Sequence, residues 1–108
     1  MDGPVEENKS AGSPLLALRP VFMPPPEMRR DYLKRRRSEL DALLSSGRGN
    51  EWKYVVTFVQ HVRGTGGMYG FVNIGDTAAS LYRAIHAGDP NCMQHLESYA
   101  RAVEEAYV

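Results

Sequence analysis

The residues with the clearest potential for chemistry stand together at positions 60–67, where the sequence reads Gln-His-Val-Arg-Gly-Thr-Gly-Gly. His61 carries an imidazole, which can accept a phosphoryl group because one ring nitrogen is free and nucleophilic near neutral pH. Arg63 could screen the charge of that group, and Gly64 would let another protein approach the backbone closely. The segment therefore predicts a docking surface, with an ordinary exposed histidine on a helix as the alternative.

Metal and nucleophile motifs elsewhere in the chain are weak. His61, His86 and His95 lack the i, i+4 spacing that would place two imidazoles on one helix face for a metal. Cys92 and His95 could form a thiol–imidazole pair, but Cys92 lies next to an apolar seam, which favours a core role. Residues 64–67 lack the lysine and Ser or Thr of a Walker phosphate loop. We therefore expect no metal, no cofactor and no enzymatic activity.

Composition and charge exclude several further classes. Lys and Arg together number 13, and Asp and Glu also number 13, so no net charge favours a nucleic-acid partner. The single cysteine fits a reducing compartment. The sequence shows neither an apolar run of about 18 residues nor a secretory signal. These features predict a soluble cytoplasmic protein with no membrane or nucleic-acid partner.

Positive charge is nevertheless concentrated in one place. Six basic side chains fall within nine residues, and they are Arg29, Arg30, Lys34, Arg35, Arg36 and Arg37. One interpretation is the solvated face of a helix. The other interpretation is a patch that steers an acidic partner electrostatically.

Apolar spacing predicts four helices after residue 25. The first begins at Pro26, ends at the Ser45-Ser46-Gly47 stretch, and has apolar positions at Tyr32, Leu33, Leu40, Leu43 and Leu44. The second follows Asn50, a candidate N-cap, and has apolar positions at Trp52, Val55, Val56, Val59 and Val62. Its β-branched and aromatic residues would also suit a strand over residues 54–59, although the three-four spacing favours a helix.

The third and fourth helices repeat a narrow apolar seam. The third has Phe71, Ile74, Ala78, Leu81 and Ile85, and the fourth has Met93, Leu96, Ala100, Val103 and Tyr107. Asp89 is predicted to cap the fourth helix, with Pro90 at its first position. Short connections between the segments predict an all-α fold, an antiparallel up-down-up-down four-helix bundle over residues 26–108.

Residues 1–25 differ from the rest of the chain because they contain five prolines among Gly, Ser and charged residues. Such a segment buries too little apolar area to offset the entropy of ordering it, so it is predicted to be a flexible tail. Its apolar residues could pack on the domain or bind a partner, and they are Leu15, Leu16, Leu18, Val21 and Phe22.

The longest recognisable motif is residues 60–71, which read Gln-His-Val-Arg-Gly-Thr-Gly-Gly-Met-Tyr-Gly-Phe. From about Glu27 to its end, the chain resembles the histidine phosphotransfer (HPt) domains of bacterial phosphorelays. Their signature is a phosphorylated His, then two residues, often with Leu or Ile second, then Lys, Arg or Ala, then Gly, then Ser, Thr or Ala. A subgroup continues with Gly-Gly, an aromatic residue, Gly and Phe. The basic lead helix with Tyr32-Leu33 and the Ala87-Gly88-Asp89 connection also resemble this family.

The resemblance covers about three quarters of the chain and implies a helical domain with a four-helix core. Aligned without a gap, it places Gln60, and not His61, at the phosphoacceptor position. A glutamine amide does not accept phosphoryl groups. The resemblance therefore implies a domain that docks a receiver without taking its phosphate. A natural glutamine and an engineered replacement of histidine at position 60 would read identically.

His61 offers an alternative phosphoacceptor one residue later. One residue along a helix turns a side chain by about 100° and moves it by about 1.5 Å. A misplacement of about 1 Å can cost about a hundredfold in transfer rate, unless a bulge in the helix restores the register. A third interpretation is a helical adaptor that works outside phosphorelays.

The resemblance places six residues at the partner contact: Gln60, His61, Arg63, Gly64, Thr65 and Gly67. It implies a response-regulator receiver domain as the partner and a hybrid sensor histidine kinase as a second one. We expect a monomer. Val59 and Val62 are expected mainly in the core. Tyr69 and Phe71 are expected to pack the turn between two helices.

Overall fold

The computed structural model describes residues 23–108, and this part of the chain is entirely helical apart from its turns and ends. Its five helices are α1 (Pro26–Ser38), α2 (Leu40–Arg48), α3 (Trp52–Thr65), α4 (Val72–His86) and α5 (Cys92–Glu105). The described residues contain no strand, so the all-α prediction is confirmed and the strand alternative for residues 54–59 is wrong. Residues 1–22, where most of the predicted flexible tail falls, lie outside the described residues.

The first predicted helix is divided in two at Glu39, which corrects the prediction of one continuous element. The amide of Glu39 donates to the carbonyl of Arg36 at 3.3 Å, an i→i+3 bond that tightens the end of α1. Arg36 Nε and NH2 donate to the two carboxylate oxygens of the same residue, at 3.0 and 2.9 Å. The side-chain pair therefore bridges the junction between α1 and α2.

Two predicted helix starts are also displaced. Asn50 is not the N-cap of α3. It adopts φ 62°, and its side-chain oxygen accepts a hydrogen bond from Trp52 Nε1 at 2.8 Å, while Glu51 precedes the helix. Asp89 is not the N-cap of α5, which begins at Cys92. The carboxylate of Asp89 accepts instead from the amide of Asn91 at 2.8 Å, because a short polar side chain readily bonds the backbone two residues on.

The helices surround one core. α3 packs against α4 and α4 against α5, while α2 contacts both α3 and α5, and α1 contacts α2 and α5. The fully buried side chains at the centre are Leu43, Val55, Val59, Val62, Ile74, Leu81, Leu96, Tyr99 and Val103. Most of these positions belong to the predicted seams. Tyr107, the last position of the predicted fourth seam, is not buried. α5 ends at Glu105, and the tyrosine is 84% exposed.

Gly47 lies inside the last turn of α2, which ends at Arg48, one residue after the predicted Ser45-Ser46-Gly47 stretch. A Cβ at this position would come within 2.5 Å of Leu96 Cδ2 and within 2.9 Å of Met93 Sδ. The missing side chain therefore lets α2 approach α5 closely.

The last residues of the predicted tail contact the folded domain. Pro24 is buried, and Met23 Sδ lies 3.2 Å from the place that a Cβ on Gly70 would take. The described residues before Pro26 therefore pack on the turn between α3 and α4.

Candidate functional site

The predicted contact residues occupy the exposed side of the C-terminal half of α3 and the turn that follows. Gln60, His61, Arg63 and Gly64 are exposed on the helix, and Gly67 is exposed in the turn. Thr65 is half-buried. Val59 and Val62 face the core at 0% and 1% exposure, as predicted. Five of the six candidate residues are therefore exposed, and all six lie within residues 60–67.

The side chain of His61 faces α1. His61 lines a groove of about 470 Å³ between α1 and α3, together with Tyr32, Arg35 and Thr65. It also borders a smaller and more apolar hollow of about 250 Å³ with Phe58. The predicted exposure of His61 is confirmed, and its side chain lies on the α1 side of the candidate surface.

Arg63 lies on the opposite side of the surface, towards α4. Its Cζ atom is 4.1 Å from the centroid of the Tyr82 ring, which is cation–π geometry. Tyr82 in turn contacts His86, with ring centroids 4.4 Å apart. The guanidinium is therefore held against an aromatic face, although the residue is exposed.

The glycines divide into two groups. A Cβ on Gly66 would come within 2.6 Å of the nitrogen of Gly75, and Gly70 adopts φ +85° beside Arg29. These two are required by close backbone packing and by the left-handed conformation of the turn. Gly64 and Gly67 have nothing within 4 Å of where a Cβ would stand. The fold itself therefore gives no reason for a glycine at either of these two positions.

Tyr32 of α1 fixes the turn that carries these glycines. Its ring stacks on Tyr69 at 4.3 Å and on Phe71 at 5.9 Å, so both aromatic residues pack the turn as predicted. Its hydroxyl forms a 2.8 Å hydrogen bond with Thr65 Oγ1. Arg29 adds a second tie, because its Nε donates to the carbonyl of Tyr69 at 2.8 Å.

The solvated-face interpretation of the basic run holds for only part of α1. Arg29 holds the glycine turn, and Arg36 is buried beside Glu39 and the Tyr32 ring. Burial alone would lower the pKa of Arg36, but its hydrogen bonds with the Glu39 carboxylate and that negative charge raise the pKa above its ordinary value. Arg37 donates to the carbonyls of Val103 and Glu104 at the end of α5.

Four members of the run stay exposed along α1, and they are Arg30, Lys34, Arg35 and Arg37. Of these, Arg37 is bonded to carbonyls at the end of α5. Arg35 lines the same groove as His61. The exposed positive charge that could steer a partner is therefore smaller than the sequence shows, and part of it lies beside the candidate surface.

The possible Cys92–His95 nucleophile is not supported by the geometry. Cys92 is 7% exposed, and burial, together with the nearby charge of Asp89, raises the pKa of its thiol. His95 Nε2 lies 3.7 Å from the carboxylate of Asp89. A buried thiol with a raised pKa is a poor nucleophile, so the predicted core role of Cys92 fits its position.

Two further properties concern residues 23–108 as a whole. None of their helices combines the length and the apolar character needed to cross a membrane. Within the same residues, no group of three or more His, Cys, Asp or Glu side chains is arranged to hold a metal ion.

Sequence reasoning missed Tyr82 as a neighbour of the site and Arg29 as a support of the turn. Tyr82 lies between two apolar seam positions of α4, so periodicity alone assigns it only to a half-buried flank. Arg29 is one of six similar basic residues, and nothing in its spacing separates it from them. Both contacts join residues far apart in the chain.

Comparisons with protein-family models, with curated proteins and with solved structures give no match for this chain. A function for the chain is therefore inferred from the geometry of residues 60–67 and of the α1 and α4 residues beside them.

Proposed function

We propose that this chain is an HPt-like signalling module that docks the receiver domain of a response regulator without accepting its phosphoryl group. In this proposal the helices form an antiparallel up-down-up-down four-helix bundle, in which α1 and α2 together take the place of the first helix. The contact surface lies on α3. The observation that carries it is the pair Gly64 and Gly67, at which a Cβ would meet no atom within 4 Å.

A glycine inside a helix costs roughly 1 kcal/mol relative to alanine. Gly64 lies in the last turns of α3 with no internal neighbour, so its cost is not offset within the domain. A partner that must approach the helix backbone closely would explain the glycine at position 64. Exposed Gln60, one turn earlier, then lies at the centre of the contact.

Gln60 makes this a docking module and not a carrier. Its amide nitrogen holds no free electron pair comparable to that of an imidazole, so it cannot take a phosphoryl group from an aspartyl phosphate. It can still donate and accept hydrogen bonds at a receiver's active site. The domain would then occupy a receiver and compete with transfer-competent partners.

Phosphate transfer through His61 is the second candidate, because its imidazole is exposed on the same stretch of α3. Its position on the α1 side, next to Arg35, places it off the line of Gln60 and Gly64. In-line attack on the receiver's aspartyl phosphate would need the partner to dock in a rotated pose.

The test uses a panel of isolated bacterial receiver domains, phosphorylated in the presence of Mg²⁺, with the full chain as acceptor. The variants are Gln60→His, His61→Ala and the double variant. Gln94→His is the matched control, since it places the same side chain at an exposed position on α5. Acid-labile phosphohistidine is followed by phosphorus NMR and site mapping, and binding is measured by titration calorimetry.

We expect the unchanged chain to bind a receiver without becoming phosphorylated. Gln60→His should gain phosphohistidine at position 60, both as a single variant and in combination with His61→Ala. Gln94→His should gain none. Phosphohistidine at His61 of the unchanged chain, lost in His61→Ala, would replace the docking proposal with the carrier. Absence of binding to every receiver would leave a helical adaptor of another kind.

A further inference from the structure

The contact between Arg63 and Tyr82 joins the candidate surface on α3 to the neighbouring helix α4. The guanidinium carbon lies 4.1 Å from the ring centroid. Arg63 is exposed, whereas Tyr82 is half-buried and packs against the core. The aromatic ring is therefore the fixed member of the pair, and the arginine is the side chain that it restrains.

The ring is itself held on a second side. His86 stands one turn later on α4, and its ring lies 4.4 Å from that of Tyr82 with an interplanar angle of 57°. Residues four apart on a helix are neighbours, so this contact needs no further element to form it. Arg63 is thus stacked on a ring that is buttressed by its own helix and by the core.

A free arginine side chain would lose much conformational entropy on binding a partner. Ordering such a side chain on binding therefore weakens affinity. An arginine already stacked on a ring loses less, and its planar fork keeps N–H donors free at the edge of the stack. Arg63 follows Gln60 by three residues, so the two lie on neighbouring parts of the helix surface.

We propose that Tyr82 is a positioning residue that holds the Arg63 guanidinium ready for an acidic group of the docking partner. This inference rests on the proposed function, because the acidic group is that of a receiver's phosphorylation pocket. Tyr82 touches the partner only through Arg63. It therefore acts on the affinity of docking and not on the chemistry at position 60.

The first test uses the free protein. The Arg63 side-chain protons should show upfield ring-current shifts in proton–nitrogen NMR spectra. These shifts should persist in Tyr82→Phe, which keeps the ring, and disappear in Tyr82→Leu. Tyr54→Leu is the matched control, since Tyr54 is an exposed tyrosine that contacts Phe58. Arg63 shifts that do not respond to Tyr82→Leu would overturn the inference.

The second test is a double-variant cycle on the binding of receiver domains loaded with Mg²⁺ and beryllofluoride. We expect Tyr82→Leu to raise Kd by roughly three- to tenfold, and Tyr82→Phe to leave it unchanged. In an Arg63→Gln background, Tyr82→Leu should have no further effect. Equal effects of Tyr82→Leu in both backgrounds would mean a direct or purely structural role and would overturn the inference.

The two failures can be told apart. If no receiver binds the unchanged chain, the proposed function fails and the partner assigned to Arg63 fails with it. If receivers bind but the cycle is additive, docking stands and only the role of Tyr82 is wrong.

Discussion

Gly66, at the end of α3, lies directly against Gly75 in the first turn of α4. A Cβ on Gly66 would stand 2.6 Å from the nitrogen and 2.8 Å from the Cα of Gly75. The amide of Phe71 closes the turn between them by donating to the carbonyl of Gly66 at 2.8 Å. The two glycines thus let the backbones of α3 and α4 meet where the turn begins, and this contact sets the position of Gly67 beside them.

Gly66→Ala should destabilise the domain by about 1–3 kcal/mol, because the added methyl group meets backbone atoms that cannot rotate away. Gly66 has ordinary helical φ and ψ of −55° and −48°, so conformational strain adds nothing to this loss. Urea unfolding followed by circular dichroism measures it. Gly67→Ala is the control and should change stability by less than about 0.5 kcal/mol. Equal stability of the two variants would contradict the packing of Gly66 on Gly75.

Gly64→Ala, unlike Gly66→Ala, should stabilise the domain and raise the free energy of unfolding by about 0.5–1 kcal/mol. The position is exposed and helical, and nothing lies near enough to be displaced. The same urea unfolding experiment measures the change. A loss of stability would show that Gly64 has a structural role inside the domain.

Gly64→Gln should weaken receiver binding by roughly tenfold or more, which corresponds to about 1.4 kcal/mol. The longer side chain occupies the space through which the partner approaches, while the fold accommodates it. Titration calorimetry with a beryllofluoride-loaded receiver gives Kd. Gly49→Gln is the matched control, because Gly49 is an exposed glycine in the connection that precedes α3. Unchanged affinity of Gly64→Gln would remove the observation on which docking rests.

Tyr32→Phe should cost about 0.5–1.5 kcal/mol, the usual contribution of one hydrogen bond. Thr65 Oγ1 lies 3.3 Å from the carbonyl oxygen of His61, to which it donates, so the Tyr32 hydroxyl is the donor in their 2.8 Å contact. The phenylalanine ring keeps the stacking on Tyr69. A double-variant cycle with Thr65→Val, read from urea unfolding, should show coupling of similar size. Additive effects would mean that the two hydroxyl groups do not interact.

Tyr99→Phe should make the domain less sensitive to alkali. Burial raises the pKa of the Tyr99 hydroxyl above its ordinary value of 10.0, although the positive charge of Arg36 opposes the shift. The unfolded chain therefore releases this proton at a lower pH than the folded chain does. The stabilisation is complete below about pH 10 and is lost as pH rises towards the folded pKa, by about 1.4 kcal/mol per pH unit for one proton.

Urea unfolding across this alkaline range should show a shallower decline for Tyr99→Phe than for the unchanged chain. Tyr107→Phe is the matched control, since it removes the same hydroxyl from a side chain that is 84% exposed. Identical slopes for the unchanged chain and Tyr99→Phe would show that Tyr99 does not stay protonated in the folded state.

The sequence by itself determined the helical class, most of the core and the exposure of His61. Three-four spacing reports which side of a helix is apolar, and burying that side is the largest favourable term in folding. The position of α3, its buried Val59 and Val62, and its exposed Gln60 follow from that spacing alone. The predicted helix caps Asn50 and Asp89 were wrong, because a short polar side chain can bond several nearby groups besides the first amides of a helix.

Only the tertiary structure decided which of several identical residues does what. Gly64 and Gly66 are two residues apart, yet one is open to solvent and the other touches Gly75. Arg35 and Arg36 are adjacent, yet one is exposed and the other is buried against Glu39. The residue type determines which contacts a side chain can make. The residues that it contacts come from distant parts of the chain, and the local sequence pattern does not show which of them will lie nearby.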